Sequence, residues 1–359
     1  MVENQLWKNS FQEAFKNSDE LYSYLGKDWG LQSRAEKAFS VFIPKRIASK
    51  IKNLGPHSAL AKEFLPHDDE INPIIQFDGL MDPIGDKDFL KAPQLIHRYK
   101  SRALFTPTSV CPIHCRYCFR RNELQSNEDL FQNNFEKTLD YIHQHPEISE
   151  IIFTGGDPLT ISNEKMARYL ERFSEIKTLR DIRFHSRYPV ILPERIDDEF
   201  LALLTFYSKK FRTLSLAIHA NHTDEFDHES IHKIRLLAQS PVQLLSQTVL
   251  LKGVNDRVED LVSLIHLFMD LKIRPYYLHH PDQVKGGIHF YISIEEGRKL
   301  YSQLRDQLPG WSIPHYVIDI PHGPGKVNAF NPEQFEFSGQ LIGKNGATNV
   351  HAEPDSIGF

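Results

Sequence analysis

Residues 102–121, RALFTPTSVCPIHCRYCFRR, decide how the rest of the chain is read. The first seven are strand-like, and immediately behind them stand Cys111, Cys115 and Cys118, all three cysteines of a 359-residue protein. Downstream the same unit recurs without the cysteines. Short apolar runs at 150–155, 181–186, 213–220, 242–251, 274–280 and 315–321 alternate with segments whose apolar residues lie three and four apart, at 133–145, 163–176, 197–207, 229–239, 257–271 and 293–308. Such alternation predicts parallel strands joined by helical crossovers, in an open doubly wound sheet or a barrel. The unusual residues favour the barrel. Cys111, Gly155, Arg187, His219, Gln247, Asp282 and Asp319 all fall at or just beyond strand C-termini, which in a parallel barrel converge on one mouth.

The flanks differ in character. Residues 1–95 read as an N-terminal helical cap, with helix-like spacing at 9–25, a second candidate at 37–54 broken by Pro44, and Pro- and Asp-rich connecting stretches at 67–75 and 79–88. The barrel is expected over 96–329, and 330–359 is a Gly/Asn-rich C-terminal tail.

Composition narrows the class. At 40% hydrophobic and 25% charged residues, the chain is that of an ordinary globular protein. A net charge of −5 supplies no basic field for nucleic acid. The polar N-terminus and the absence of any apolar run long enough to span a bilayer point away from a membrane and toward the cytoplasm. Three cysteines inside eight residues make a poor disulfide framework and suit a reducing compartment.

The spacing C-x3-C-x2-C is one ligand short. A structural zinc wants four protein ligands, and a 4Fe–4S cluster usually takes four thiolates; three leave one iron open to a small molecule. Reduced surface thiols, or a zinc completed by His114, are the alternatives. The consecutive glycines of FTGGDPL, with Gly155, Gly156 and Asp157, allow close approach of backbone to a ligand. Lys326, in DIPHGPGK, follows a Gly/Pro-rich loop after the last strand. Lysine is the residue that forms a Schiff base with pyridoxal phosphate (PLP).

The cysteine spacing, with Tyr117 before the third cysteine, resembles the radical S-adenosylmethionine (SAM) superfamily, which implies a partial (β/α)6-type barrel with the N-terminal helical extension outside it. HRYKSRALF, CRYCFRR, GGDPL, HSRYPVILPERI, SQTVLLKGVND, RPYYLHHPDQVKGGIHF and DIPHGPGK together resemble the lysine 2,3-aminomutase family from about residue 80 to 330. The resemblance implies an isomerase that converts L-lysine to β-lysine through hydrogen abstraction by a 5′-deoxyadenosyl radical. It implies that Cys111, Cys115 and Cys118 hold a 4Fe–4S cluster, that Gly155, Gly156, Asp157, Arg187, His219 and Gln247 surround SAM, and that Lys326 carries PLP, with Arg98, Tyr99 and Arg102 on its phosphate. Arg120 matches the residue that grips the substrate α-carboxylate, and Asp282 with Asp319 the pair that meets the distal ammonium. A buried ammonium needs paired carboxylates, so two acids favour a cationic side chain.

An electron donor such as flavodoxin or ferredoxin and a homo-oligomer are the expected partners. The tail lacks cysteine, and Arg257 stands where clostridial-type members place another zinc ligand, so no zinc is expected. The branch that supplies β-lysine for modification of elongation factor P typically keeps the acid at 282 but not the one at 319. The same chemistry on another amino acid, that elongation-factor role, and a non-catalytic iron–sulfur or zinc-binding protein are the competing readings.

Overall fold

The computed structural model describes residues 3–26, 29, 34–124, 129–131, 134–320, 325–330, 340–342 and 348–350. Ten strands form one sheet in sequence order: β1 (Leu90–Ala92), β2 (Leu95–Tyr99), β3 (Arg102–Thr108), β4 (Glu150–Gly155), β5 (Asp181–Ser186), β6 (Thr213–His219), β7 (Gln243–Val249), β8 (Arg274–His279), β9 (His315–Ile320) and β10 (Gly325–Asn328). From β3 to β9 every neighbouring pair is parallel, and a helix crosses between each pair: Phe135–Gln144, Asn163–Ser174, Asp198–Tyr207, His228–Gln239, Val258–Asp270 and Ile294–Gln307. Among the described residues β1 and β10 are not paired to each other, so the sheet curls as a partial barrel rather than closing.

Both edges depart from the alternation. β1 and β2 lie antiparallel before β3, the first within the stretch read as helical, and β10 returns antiparallel along β9. These strands are too short to show a period, and β10 is half glycine and lysine, residues with no strand preference. Lys326 therefore stands on a strand directly across from Asp319, and not in a loop. Residues 321–324 of the glycine/proline stretch, and most of the tail, lie outside the described residues; 340–342 pairs antiparallel with 348–350.

The crossover helices start where the sequence supplies a cap. Asn134, Ser162, Asp197, Asp227 and Ser293 each accept a backbone N–H from the first turn, satisfying donors that otherwise have no partner. Phe105 on β3 shows how the sheet binds its helices: fully buried, its ring meets Phe135, Phe153, Tyr169 and Phe173 at centroid distances of 5.0–5.5 Å, three of them edge-on. The opposite strand faces form the barrel lumen, which is polar. On β5, Arg183 pairs with Glu150 at 3.0 Å and donates to Tyr276 at 3.1 Å, while His185 two residues later reaches the mouth.

The N-terminal segment contributes the helices Glu3–Gln12, Ser18–Leu25, Lys45–Leu54 and Ala59–Phe64. Pro44 caps the third, as its lack of an N–H allows. The apolar residues Trp7, Ile47, Ile51 and Phe64 belong to the same buried cluster as the barrel's Leu159, Tyr188 and Ile191. No helix among the described residues is long and apolar enough to cross a membrane. Phe105→Ala should remove the aromatic hub and destabilise the protein by about 3–5 kcal/mol, read as a lower midpoint in denaturant unfolding.

Candidate active site

The residues 109–123 leave β3 and turn across the barrel mouth, and their path is fixed from the N-terminal side. Arg116 lies fully buried and makes a two-pronged ion pair with Glu70, Nε to Oε1 at 2.9 Å and Nη2 to Oε2 at 2.6 Å. Its Nη1 donates to the carbonyls of Phe39 and Ser40. Arg121 reaches the same Glu70 Oε2 at 2.6 Å and donates to the carbonyls of Arg116 and Gly286. Burial would push the Glu70 carboxyl up, but the two guanidiniums outweigh it and hold it below the usual range. The backbone adds Arg116 N–H to Glu63 O and His114 N–H to Phe42 O.

Gly156 closes the other side. A Cβ there would lie 2.5 Å from both the Ser109 carbonyl carbon and the Val110 oxygen, so only glycine lets the end of β4 press against the cysteine loop. Its N–H donates to Thr108 O, and that of Asp157 to Val110 O. The Asp157 carboxylate accepts from Leu159 N–H, Arg187 N–H and Ser186 Oγ, tying the turn after β4 to the end of β5. Burial raises it to about 6 against those bonds. The observed contacts of the GGD segment are thus with the protein itself.

One cavity of about 210 Å³ opens at the C-terminal ends of the strands. Cys111, Cys115, Cys118, Arg120, Gly155, Gly156, Asp157, Arg187, His219, Gln247, Asp282, Asp319 and Lys326 all line it. Arg98, Tyr99 and Arg102 do not; they stand behind β10. The Tyr99 hydroxyl accepts the Lys326 N–H at 2.7 Å, and Arg102 lies 3.9 Å over the Tyr99 ring. Gly325 permits this approach, since its φ is +101° and a Cβ would sit 2.2 Å from that hydroxyl.

At one end of the cavity the three thiols are held neutral. Cys111 is pushed up by burial and then by Cys118, Cys115 by burial against the pull of Arg187, and Cys118 to about 12 by burial and Cys115. A cationic iron centre is what would turn such thiols into thiolates. His114 points away, stacked on Phe39 and bonded through Nδ1 to Ser40 O at 2.9 Å, so it completes no zinc site with them.

The other end is a chain of ion pairs. Lys326 Nζ donates to Asp319 Oδ2 at 2.7 Å, Arg98 approaches Asp319 Oδ1 at 3.7 Å and Asp86 at 3.3 Å, and Arg120 binds the second oxygen of Asp86. Asp282 is pushed up to about 7, by burial first and then by Asp319 and Asp86, against Lys326. Asp86 had no signal in the sequence beyond a turn-like GD pair. His185 and His279 were likewise passed over as strand ends, yet both line the cavity with Nε2 unbonded.

A curled parallel sheet with three cysteines behind its first parallel strand and a lysine on its last defines a radical SAM protein built for a second, carbonyl-bearing cofactor. The profile of the Radical SAM superfamily matches residues 105–265. An L-lysine 2,3-aminomutase of Haemophilus influenzae is 34% identical over 329 residues, 90% of this chain and 96% of that protein. The L-lysine 2,3-aminomutases of Escherichia coli and Clostridium subterminale are each 31% identical, over 89% of this chain and 93% and 77% of theirs. The chain belongs to the L-lysine 2,3-aminomutase family, whose cofactors are a 4Fe–4S cluster, SAM and PLP.

The residues present fit those groups. Three free thiols face one cavity, a lysine amine faces it from the far wall, and buried polar atoms without a hydrogen bond (Gln247 Oε1, His185 Nε2, His279 Nε2) belong to residues that line the space between. Because Glu70 neutralises two buried arginines of the cysteine loop, Glu70→Ala should destabilise the protein by about 3–5 kcal/mol in chemical denaturation. Iron bound after reconstitution should fall with it.

Proposed function

We propose that the protein converts L-lysine to β-lysine by moving the α-amino group to C3. One observation carries the substrate: two acids, Asp282 and Asp319, line the same cavity as the three cysteines and Lys326. When bound, the cluster with SAM supplies a carbon radical that takes hydrogen from C3, and PLP carries the migrating nitrogen.

The protein's own residues do the rest. Cys111, Cys115 and Cys118 hold the iron, and the Lys326 amine attaches PLP through its aldehyde. Asp319, now paired with Lys326, would be free to meet substrate once that amine is committed to PLP, which gives the two acids a cation to share. Arg120 is the cavity cation suited to a carboxylate, and Asp86 holds its guanidinium at the wall. Tyr117, Phe290, Val249 and Leu251 supply an apolar rim that keeps water from reactive intermediates. Arg98, Tyr99 and Arg102 support β10 and, through Arg98, the charge balance at Asp319. We assign the reaction to the cytoplasm, with flavodoxin or ferredoxin as electron donor.

The deciding assay is anaerobic: reconstituted protein with SAM, PLP, dithionite and L-lysine should yield β-lysine by mass spectrometry, and no rearranged product from an amino acid lacking a cationic side chain. Lys326→Ala should lose the bound-PLP absorbance and keep its iron; PLP retained at normal stoichiometry would show the assignment to be wrong.

The pH response follows from Asp282. Its carboxyl is raised to about 7 in the free protein, and an incoming ammonium stabilises the ionised form, so binding below pH 7 must release a proton. Lysine affinity should therefore weaken as pH falls through 7. Calorimetry in two buffers of different ionisation enthalpy should detect that proton for the wild type at pH 6 and none for Asp282→Asn.

A further inference from the structure

Arg187, at the end of β5, is 5% exposed and has four partners, and one of them is a cysteine. Its Nη1 donates to Cys115 Sγ at 2.9 Å and to the Tyr117 hydroxyl. Its Nη2 donates to Glu63 at 3.2 Å and to Glu225. Asn221 braces the same group, donating through Nδ2 to Glu63 at 3.0 Å and to the Tyr117 hydroxyl at 2.6 Å, while its N–H is held by Glu225. The guanidinium also lies 4.9 Å over the ring of Phe64. Arg187 lines the cavity, and both of its terminal nitrogens are bonded within this network.

A guanidinium cannot be deprotonated at this depth, so it is a permanent positive charge against one sulfur. Burying it with two carboxyl groups, of which Glu63 is pushed up to about 8 by burial and by Glu225, is a poor way to gain stability alone, because the desolvation of such a triad commonly exceeds its mutual attraction. Against an iron–sulfur cluster it has a definite effect. Reduction adds negative charge, and hydrogen bonds and cations at the ligand sulfurs favour the reduced form, whereas neighbouring carboxylates oppose it.

On the reading that Cys115 is a cluster ligand, we propose that Arg187 is a positioning residue that sets the charge at the Cys115 sulfur and thereby the reduction potential of the cluster, with Glu63 and Glu225 as its counterweights. Glu63 comes from the N-terminal helix Ala59–Phe64, so the readiness of the iron to accept an electron is tied to the docking of that segment.

The test is a potentiometric titration, followed by electron paramagnetic resonance, of the reconstituted full-length protein, with iron and sulfide measured on each sample. Arg187→Met, which removes the cation and the N–H···S bond, should lower the midpoint potential. Glu225→Gln, whose amide oxygen still accepts from Arg187, should raise it. Arg187→Lys should fall between wild type and Arg187→Met. Opposite shifts at full iron content are not expected of a purely structural network. Potentials that stay put, or move the same way, with the cluster fully loaded would overturn the proposal while leaving the family reading intact. Should Arg187→Met not retain iron, Glu225→Gln and Arg187→Lys decide by the same criterion. A wild-type protein that takes up no cluster would overturn both.

Discussion

Everything at the mouth of this barrel depends on a carboxylate that belongs to neither the barrel nor the site. Glu70 lies on the segment between the N-terminal helices and β1 and neutralises Arg116 and Arg121 of the cysteine loop together. Both arginines are more than nine-tenths buried, and neither has another carboxylate in reach of its guanidinium among the described ion pairs. Without Glu70 two charges would be stranded in the interior, and the loop would have to open to hydrate them. With it, the loop is pinned at Arg116 and Arg121, the residues that bracket Cys118, and Cys115 is the neighbour of the first. The N-terminal segment is therefore part of the catalytic architecture, and its hydrophobic packing onto Tyr188 and Leu159 places the ion pair.

That layout explains what could be read from the sequence and what could not. The seven parallel strands were legible because each is a short, largely apolar run and the first six are each followed by an amphipathic helix, five of them capped by a side chain, a signal local to some twenty-five residues. The strand ends named from that pattern, from Cys111 to Asp319, do share one cavity. β1, β2 and β10 escaped because three to five residues carry no periodicity, and their pairing is decided by partners elsewhere. Glu63, Glu70 and Asp86 escaped for a related reason: an acidic residue in a polar stretch looks solvated, and only the three-dimensional proximity of arginines distant in sequence shows otherwise. The glycines after β4 were legible as a place where backbone can approach a ligand; that Gly156 is also required for the packing of β4 on the loop was not.

Charge is distributed along the cavity in two separate circuits. At the cysteine end Arg187 faces Glu63 and Glu225; at the lysine end Arg98, Arg120 and Lys326 face Asp86, Asp319 and, beside Arg120, Glu123. Neither circuit leaves a net charge far from its own partners, and His185, His219 and Gln247 lie between them on β5, β6 and β7 as neutral groups, the two imidazoles driven toward the uncharged form by burial. A radical generated at one end and a nitrogen moved at the other can then share a space without either set of charges stabilising a stray proton in the middle.

The placement of the two anchoring groups at opposite ends of the parallel run also has a meaning for how the protein comes to exist. The cysteines emerge with the first crossover, while Lys326 sits on the last strand of the sheet, paired on one side with β9 and held through its N–H by the Tyr99 hydroxyl. During synthesis the iron-binding loop and the segment that pins it are complete long before the lysine has left the ribosome. The residues that would take the iron are thus made well before the one that would take the vitamin.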